Sequence, residues 1–121
     1  MNGNQKKAAI VTGASSGIGK AIAEMLVSLG YEVFGFGREF TTEVSFHPVV
    51  CDLLDTEELE RHIKQIRKQY EIYILINNAG NHCKKFIWEM SVEEYVSVLN
   101  VHLVGAFALT KAFVPQMKEL G

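Results

Sequence analysis

Thr12-Gly13-Ala14-Ser15-Ser16-Gly17-Ile18-Gly19 suits one kind of chemistry, the holding of an anionic group against backbone N–H donors. The octet lies between the apolar run Ala8-Ala9-Ile10-Val11 and a helix-patterned stretch that begins at Ile18, so it reads as a strand-to-helix turn. In that setting Gly13 supplies a left-handed turn, Gly17 lets the backbone approach a pyrophosphate, and Gly19 lets the helix pack close to the sheet. The unpaired N–H groups at the helix start then face the anion. Ser15 and Ser16 add hydroxyls that can bind phosphate oxygens, although serine also suits a turn on its own account.

Other segments end in the same way. Asn77-Asn78-Ala79-Gly80 follows the apolar run Ile72 to Ile76, Asp52 closes Val49-Val50-Cys51, and Arg38 follows the strand-like segment Tyr31 to Gly37. Together with the octet and with Val101-His102-Leu103-Val104-Gly105-Ala106-Phe107, these residues resemble the short-chain dehydrogenase/reductase family in its NADP-using branch. The resemblance covers nearly all 121 residues. It implies a Rossmann-like α/β domain that binds NADP, and a parent activity of reversible carbonyl/alcohol oxidoreduction by hydride transfer. Members of the family have roughly twice this length and six or more strands. Residues 1–121 are therefore expected to be a single dinucleotide-binding domain, truncated to the N-terminal half and lacking the C-terminal strands.

By the resemblance, cofactor contacts fall to Gly13, Ser15, Ser16, Gly17, Ile18, Gly19, Arg38, Asp52, Leu53, Asn78, Ala79 and Gly80. At the end of the second strand an acid would bind the ribose 2′-OH of NAD, whereas an arginine takes the 2′-phosphate of NADP. Arg38 therefore favours NADP, with Glu39 close enough in sequence to serve a ribose. The family positions matched by Asp52 and Leu53 hold the adenine, through a carboxylate and a backbone group respectively. Asn78, Ala79 and Gly80 match the segment beside the riboses, and Asn77 is expected to tie strands together. His102 occupies the place of an asparagine that holds a water in the family's proton relay, which makes it the one candidate catalytic residue. A histidine on an apolar helix stripe is also a common core residue.

The proton-donating tyrosine with a lysine four residues on is not found. Tyr31, Tyr70, Tyr73 and Tyr95 are followed at that spacing by Gly35, Ile74, Asn77 and Leu99. Without that pair, carbonyl reduction loses proton transfer, typically worth about 10² to 10⁴ in rate. This chain alone is expected to be inactive. A rival reading is a non-enzymatic nucleotide-binding or assembly module that uses an exposed strand edge.

The elements that must position these residues follow from periodicity. Helices are expected on a stripe of Ile18, Ala21, Ile22, Met25, Leu26 and Leu29, and on one of Leu59, Ile63, Ile66 and Tyr70 opened by Asp55 and Glu58. A long helix opened by Ser91 and Glu94 should turn Val92, Tyr95, Val96, Leu99, Leu103 and Phe107 inward, and should kink or end at Pro115. Only 13 residues separate Arg38 from Asp52, room for a helical turn or two at most. The sheet is expected to be parallel with strand order 3-2-1-4 and helices on both faces. That order leaves Ile72 to Ile76 at an edge without charge or proline, open to a second copy of the chain or to a missing half.

Composition excludes other classes. With 48% hydrophobic residues, 21% charged residues and a net charge of −2, the chain is an ordinary globular protein without a basic field, so no nucleic acid partner is expected. The apolar stretch Leu103 to Phe113 is interrupted by Gly105, Thr110 and Lys111, so no membrane partner is expected either. Cys51 and Cys83 lie far apart, and His47, His62, His82 and His102 form no HxxxH pair, so no metal is expected. Free thiols and the lack of a signal-like start point to the cytoplasm.

Overall fold

The computed structural model describes residues 6–79 and 85–121. Four strands, β1 (Lys6–Thr12), β2 (Glu32–Gly37), β3 (His47–Val50) and β4 (Tyr70–Ile76), form one sheet of order β3-β2-β1-β4. Every neighbouring pair is parallel, with Ala8 to Thr12 facing Glu32 to Phe36 in unbroken register. A parallel strand inside a doubly covered sheet must be apolar on both sides. β1 satisfies this completely: Ala8 and Ile10 enter one core, Ala9 and Val11 the other, and all four are fully buried.

Helices cover both faces. α1 (Gly17–Ser28) lies over Ala9, Val11 and Val33, while α2 (Thr56–Gln69) and α4 (Ala106–Leu120) cover Ala8, Ile10, Phe36 and Ile72. α1 does not sit on its most hydrophobic stripe. Gly19 and Ala23 are buried and Ile22, Leu26 and Val27 pack beside them, whereas Ile18, Met25 and Leu29 are 61–73% exposed. Small residues let the helix approach the sheet, and periodicity weighted by side-chain size tracks the larger ones instead. α2 begins as expected, with Asp55 accepting the Glu58 N–H at 3.2 Å, and buries Leu59, Ile63 and Ile66. Tyr70 already belongs to β4.

Between β2 and β3 the chain forms no helical turn. Residues 38–46 run irregularly, and Phe46 fills the space above Gly35 that a crossover helix would otherwise cover. The long helix also differs from its expected form. α3 (Val92–Leu99) opens with a complete Ser91/Glu94 capping box, passes into a π-helical turn (Asn100–Gly105), and continues as α4. The wider turn rotates α4 relative to α3, so one 3.6-residue stripe cannot face the sheet throughout. Val92, Tyr95, Val96, Leu103 and Phe107 are accordingly exposed, and Gly105, Leu109 and Phe113 make the buried face.

Pro115 lies inside α4, which runs on to Leu120. Two contacts on either side hold it: Phe113 is fully buried, and the Gln116 Oε1 accepts the Ile72 N–H at 3.1 Å. The whole run Val92–Leu120, at 29 residues and mean hydropathy up to 1.5, is long and apolar enough to cross a membrane by length and composition. What fixes its place in this fold is the burial of Leu109 and Phe113 against the sheet. Edge strand β4 is likewise not bare. Its register shifts between Ala8 and Ala9, leaving Tyr73 as a bulge beneath the Lys7 ammonium, 4.8 Å from the ring centre. Bulges and charges of this kind blunt an edge.

Gly35 tests the packing of the loop. A Cβ at this position would lie 2.8 Å from Ala14 Cβ and closer still to the Phe46 ring. Gly35→Ala is expected to lower unfolding free energy by about 1–3 kcal/mol, with part of the loss relieved in a Phe46→Leu background. Urea unfolding measures both, and an unchanged midpoint in Gly35→Ala would place Phe46 elsewhere.

Candidate functional site

The carboxyl ends of β1, β2 and β3 open into a cleft of about 540 Å³, bordered by Gly13, Ser15, Arg38, Glu39, Leu53 and Ala79 among others. Its floor is organised by a buried hydroxyl. Thr12, 1% exposed, donates to the Ile76 carbonyl at 3.4 Å and accepts the N–H groups of Asn78 at 3.0 Å and Ala79 at 2.8 Å. One donor and two lone pairs saturate a hydroxyl, so Thr12 locks the end of β1 to the segment leaving β4. The Asn78 side chain completes the tie by donating to the Gly13 carbonyl at 3.3 Å. Asn77 binds a helix rather than a strand, donating to the Thr110 hydroxyl of α4 at 3.2 Å.

The turn above this floor has the geometry of an anion cradle. Gly13 and Gly17 hold φ of 65° and 60°, in the left-handed region. At Gly19 a Cβ would run into the Gly13 carbonyl and the Asn78 amide, so helix and loop touch only because that atom is missing. Ser16 is the N-cap residue of α1, makes no side-chain cap, and is exposed; the first turn carries no acid. The positive end of the helix is thus not neutralised by its own side chains. Ile18 is exposed beside it.

Arg38 and Glu39 are exposed at the rim, and Arg38 has no ion-pair partner among the described residues. Leu53, 9% exposed, forms a wall of the cleft with Gly105 behind it, where a Cβ would meet Leu53 Cβ at 3.4 Å. Asp52 is exposed, and its Oδ1 accepts the Leu54 N–H at 2.9 Å, so one oxygen is already committed to the turn. His102 is exposed within the π-helical turn, and the preceding residue, Val101, borders the cleft. Gly80 lies outside the described residues.

Sequence reasoning missed three features. Thr12 was visible only as part of the glycine octet, and Val101 only as the first residue of the stretch Val101 to Phe107, with no role given to either. The third is a thiol cluster: Cys51 meets Glu58 and His62 of α2. Burial pushes the Cys51 thiol up to about 12, with the charge and hydrogen bond of Glu58 and the charges of Asp52 and Asp55 adding to the effect. This thiol is no nucleophile.

Comparison with known proteins agrees with this geometry. A family model described as short chain dehydrogenase matches residues 7–121. The 3-oxoacyl-(acyl-carrier-protein) reductase of Buchnera aphidicola is 33% identical over 122 residues, covering 93% of this chain and 50% of that protein. Thermoplasma acidophilum aldohexose dehydrogenase superposes with a TM-score of 0.85 at 35% identity, over 93% of this chain and 45% of the other. A short chain dehydrogenase from Leptospira borgpetersenii, solved with bound NAD⁺, gives 0.84 at 26% identity, over 95% and 47%. The chain therefore spans about half the length of the relatives it matches.

Thr12→Val keeps the shape and removes the hydroxyl. Each part-buried amide left without its acceptor is expected to cost about 1–3 kcal/mol. Chemical denaturation should show the loss, amide exchange at residues 78 and 79 should accelerate, and Thr12→Ser should restore most of both. Unchanged exchange in the valine variant would remove Thr12 from the floor.

Proposed function

The chain belongs to the short-chain dehydrogenase/reductase family, and on that premise we propose that it is the NADP(H)-binding part of an oxidoreductase whose parent reaction interconverts carbonyl and alcohol groups. The observation that carries this reading is the cradle at the start of α1, with left-handed Gly13 and Gly17 and a helix end free of acids, opening onto a cleft with Arg38 at its rim. The residues fit a dinucleotide. Backbone N–H groups of the turn with Ser15, Ser16 and Ile18 would hold the pyrophosphate, Arg38 the 2′-phosphate, Asp52 and Leu53 the adenine, and Asn78, Ala79 and Gly80 the riboses. When bound, the nicotinamide would supply the hydride.

The chain's own residues bind and orient. His102 would hold a water, but no tyrosine here has a lysine four residues on, so the reading assigns no turnover to these 121 residues alone. The exposed face of α3, the π-helical turn and the start of α4, with Val92, Leu103 and Phe107 each more than 60% exposed, is assigned to contact with a second copy or with further residues of the same protein. A cytoplasmic setting accords with Cys51 as a free, buried thiol.

Two measurements test this reading. Calorimetric titration should show NADP(H) bound more tightly than NAD(H), and Arg38→Ala should lose about 1.5–3 kcal/mol toward NADP(H) alone. Preference for NAD(H) in the wild-type chain would instead assign the rim to Glu39. Light scattering should show mass rising with concentration, and less so in Leu103→Lys/Phe107→Lys; a monomer at every concentration would leave the helix face without a self-partner.

A further inference from the structure

At the wall of the cleft, three side chains from the end of β3 and from α2 converge. The Cys51 sulfur, a Glu58 carboxylate oxygen and a His62 ring nitrogen lie within 4.8 Å of one another. Cys51 is 2% exposed, and the other two are half-buried. The fold makes this meeting rigid. Cys51 leaves β3 with its N–H on the Gly37 carbonyl at 2.9 Å, and the turn to α2 is closed by the Asp55 N–H on the Asp52 carbonyl at 2.9 Å. Asp55 then caps α2 through the Glu58 N–H, and the i, i+4 spacing places His62 on the same helix face as Glu58. The His62 ring is braced edge-on against Phe36, with centres 6.2 Å apart at 80°.

One thiol, one imidazole and one carboxylate form a mixed donor set. Calcium and magnesium take oxygen ligands, whereas sulfur with nitrogen selects zinc, which accepts three protein ligands and an open fourth position. In a tetrahedral zinc site the donors lie about 3.5 Å apart, so donors up to 4.8 Å apart need to close by up to about 1.3 Å. An ion also has a way in, because His62 borders a second cavity of about 380 Å³ on the far side from the cradle. Cys51 borders the anion cleft as well, whereas Glu58 and His62 do not, so the cluster meets the cleft through the thiol alone.

We propose that Cys51, Glu58 and His62 form a zinc-binding site with water in the fourth position. On binding, the S–H bond breaks, its proton passes to solvent, and a Zn–S bond forms. The ion cross-links the end of β3 to α2 and braces the turn that carries Asp52 and Leu53. The spacing Cys-x6-Glu-x3-His spans a strand end and a helix, which is why no metal-ligand pattern is visible in the sequence.

Cobalt(II) added to the reduced, purified chain is the probe. One equivalent is expected to bind, with a thiolate-to-cobalt charge-transfer band and tetrahedral d–d bands that zinc then displaces. Cys51→Ser should abolish the charge-transfer band and Cys83→Ser should retain it. Glu58→Gln and His62→Gln should each weaken cobalt binding at least about tenfold, the smallest loss when even a supporting partner goes. Circular dichroism checks that each variant is folded, and if Cys51→Ser is not, the two half-buried positions carry the test. No charge-transfer band in the wild type, its survival in folded Cys51→Ser, its loss in Cys83→Ser, or unaltered affinity in both helix variants overturns the site.

Discussion

The saturated hydroxyl of Thr12 is the interaction on which the cleft depends. Parallel strands end side by side, but nothing in a β-ladder fixes the loops that leave it. Here a buried oxygen commits its donor to the Ile76 carbonyl and both lone pairs to the Asn78 and Ala79 amides. Serine would offer the same atoms with a freer rotamer, while valine would strand two amides. Because Asn78 in turn grips the Gly13 carbonyl, the segment after β4 positions the glycine turn after β1. The cradle is held by a part of the chain some 65 residues away in sequence.

Close approach is the second constraint, and it explains where the glycines and alanines went. α1 touches the loop at Gly19, Ala14 lies under Gly35, and Phe46 fills the gap that Gly35 leaves. These contacts select small residues on the buried side of α1 and leave Met25 and Leu29 outside. The same logic places Gly105 behind Leu53, so that the π-helical turn approaches the wall of the cleft by backbone.

What the sequence revealed, and what it hid, stems from these two constraints. Continuous apolar runs announced the strands and the turn residues after them the glycine turn, because parallel burial and tight turns impose their patterns locally, whereas the strand order came with the family resemblance. Helix faces were read less well. Periodicity pointed to Met25 and Leu103, and the structure buries Ala23 and Leu109 instead, since close packing and an inserted π turn reset the phase. The irregular run from Arg38 to Phe46 and the continuation of α4 through Pro115 depend on contacts that no periodic pattern encodes, Phe46 against Gly35 and Gln116 on Ile72. The Cys51, Glu58 and His62 cluster was invisible because it joins a strand end to a helix face, and its spacing matches no common ligand pattern. Asp52 is the middle case: its position was legible, but the use of one carboxylate oxygen by its own turn was not.

Electrostatics at the cleft must act locally, because the chain as a whole carries −2 and offers an anion no long-range attraction. Two sources remain, the N–H groups at the start of α1 and the guanidinium of Arg38. The first is a fixed dipole, effective within about one helical turn and indifferent to which dinucleotide arrives. The second is a mobile charge at the rim, next to the carboxylate of Glu39. On the proposed reading, affinity for a pyrophosphate would reside in the backbone, where side-chain substitution scarcely reaches it. Discrimination between a 2′-phosphate and a 2′-hydroxyl would, on the same reading, reside in two exposed side chains of opposite charge, Arg38 and Glu39. Selectivity would then change by a single substitution at the rim while the cradle stays intact.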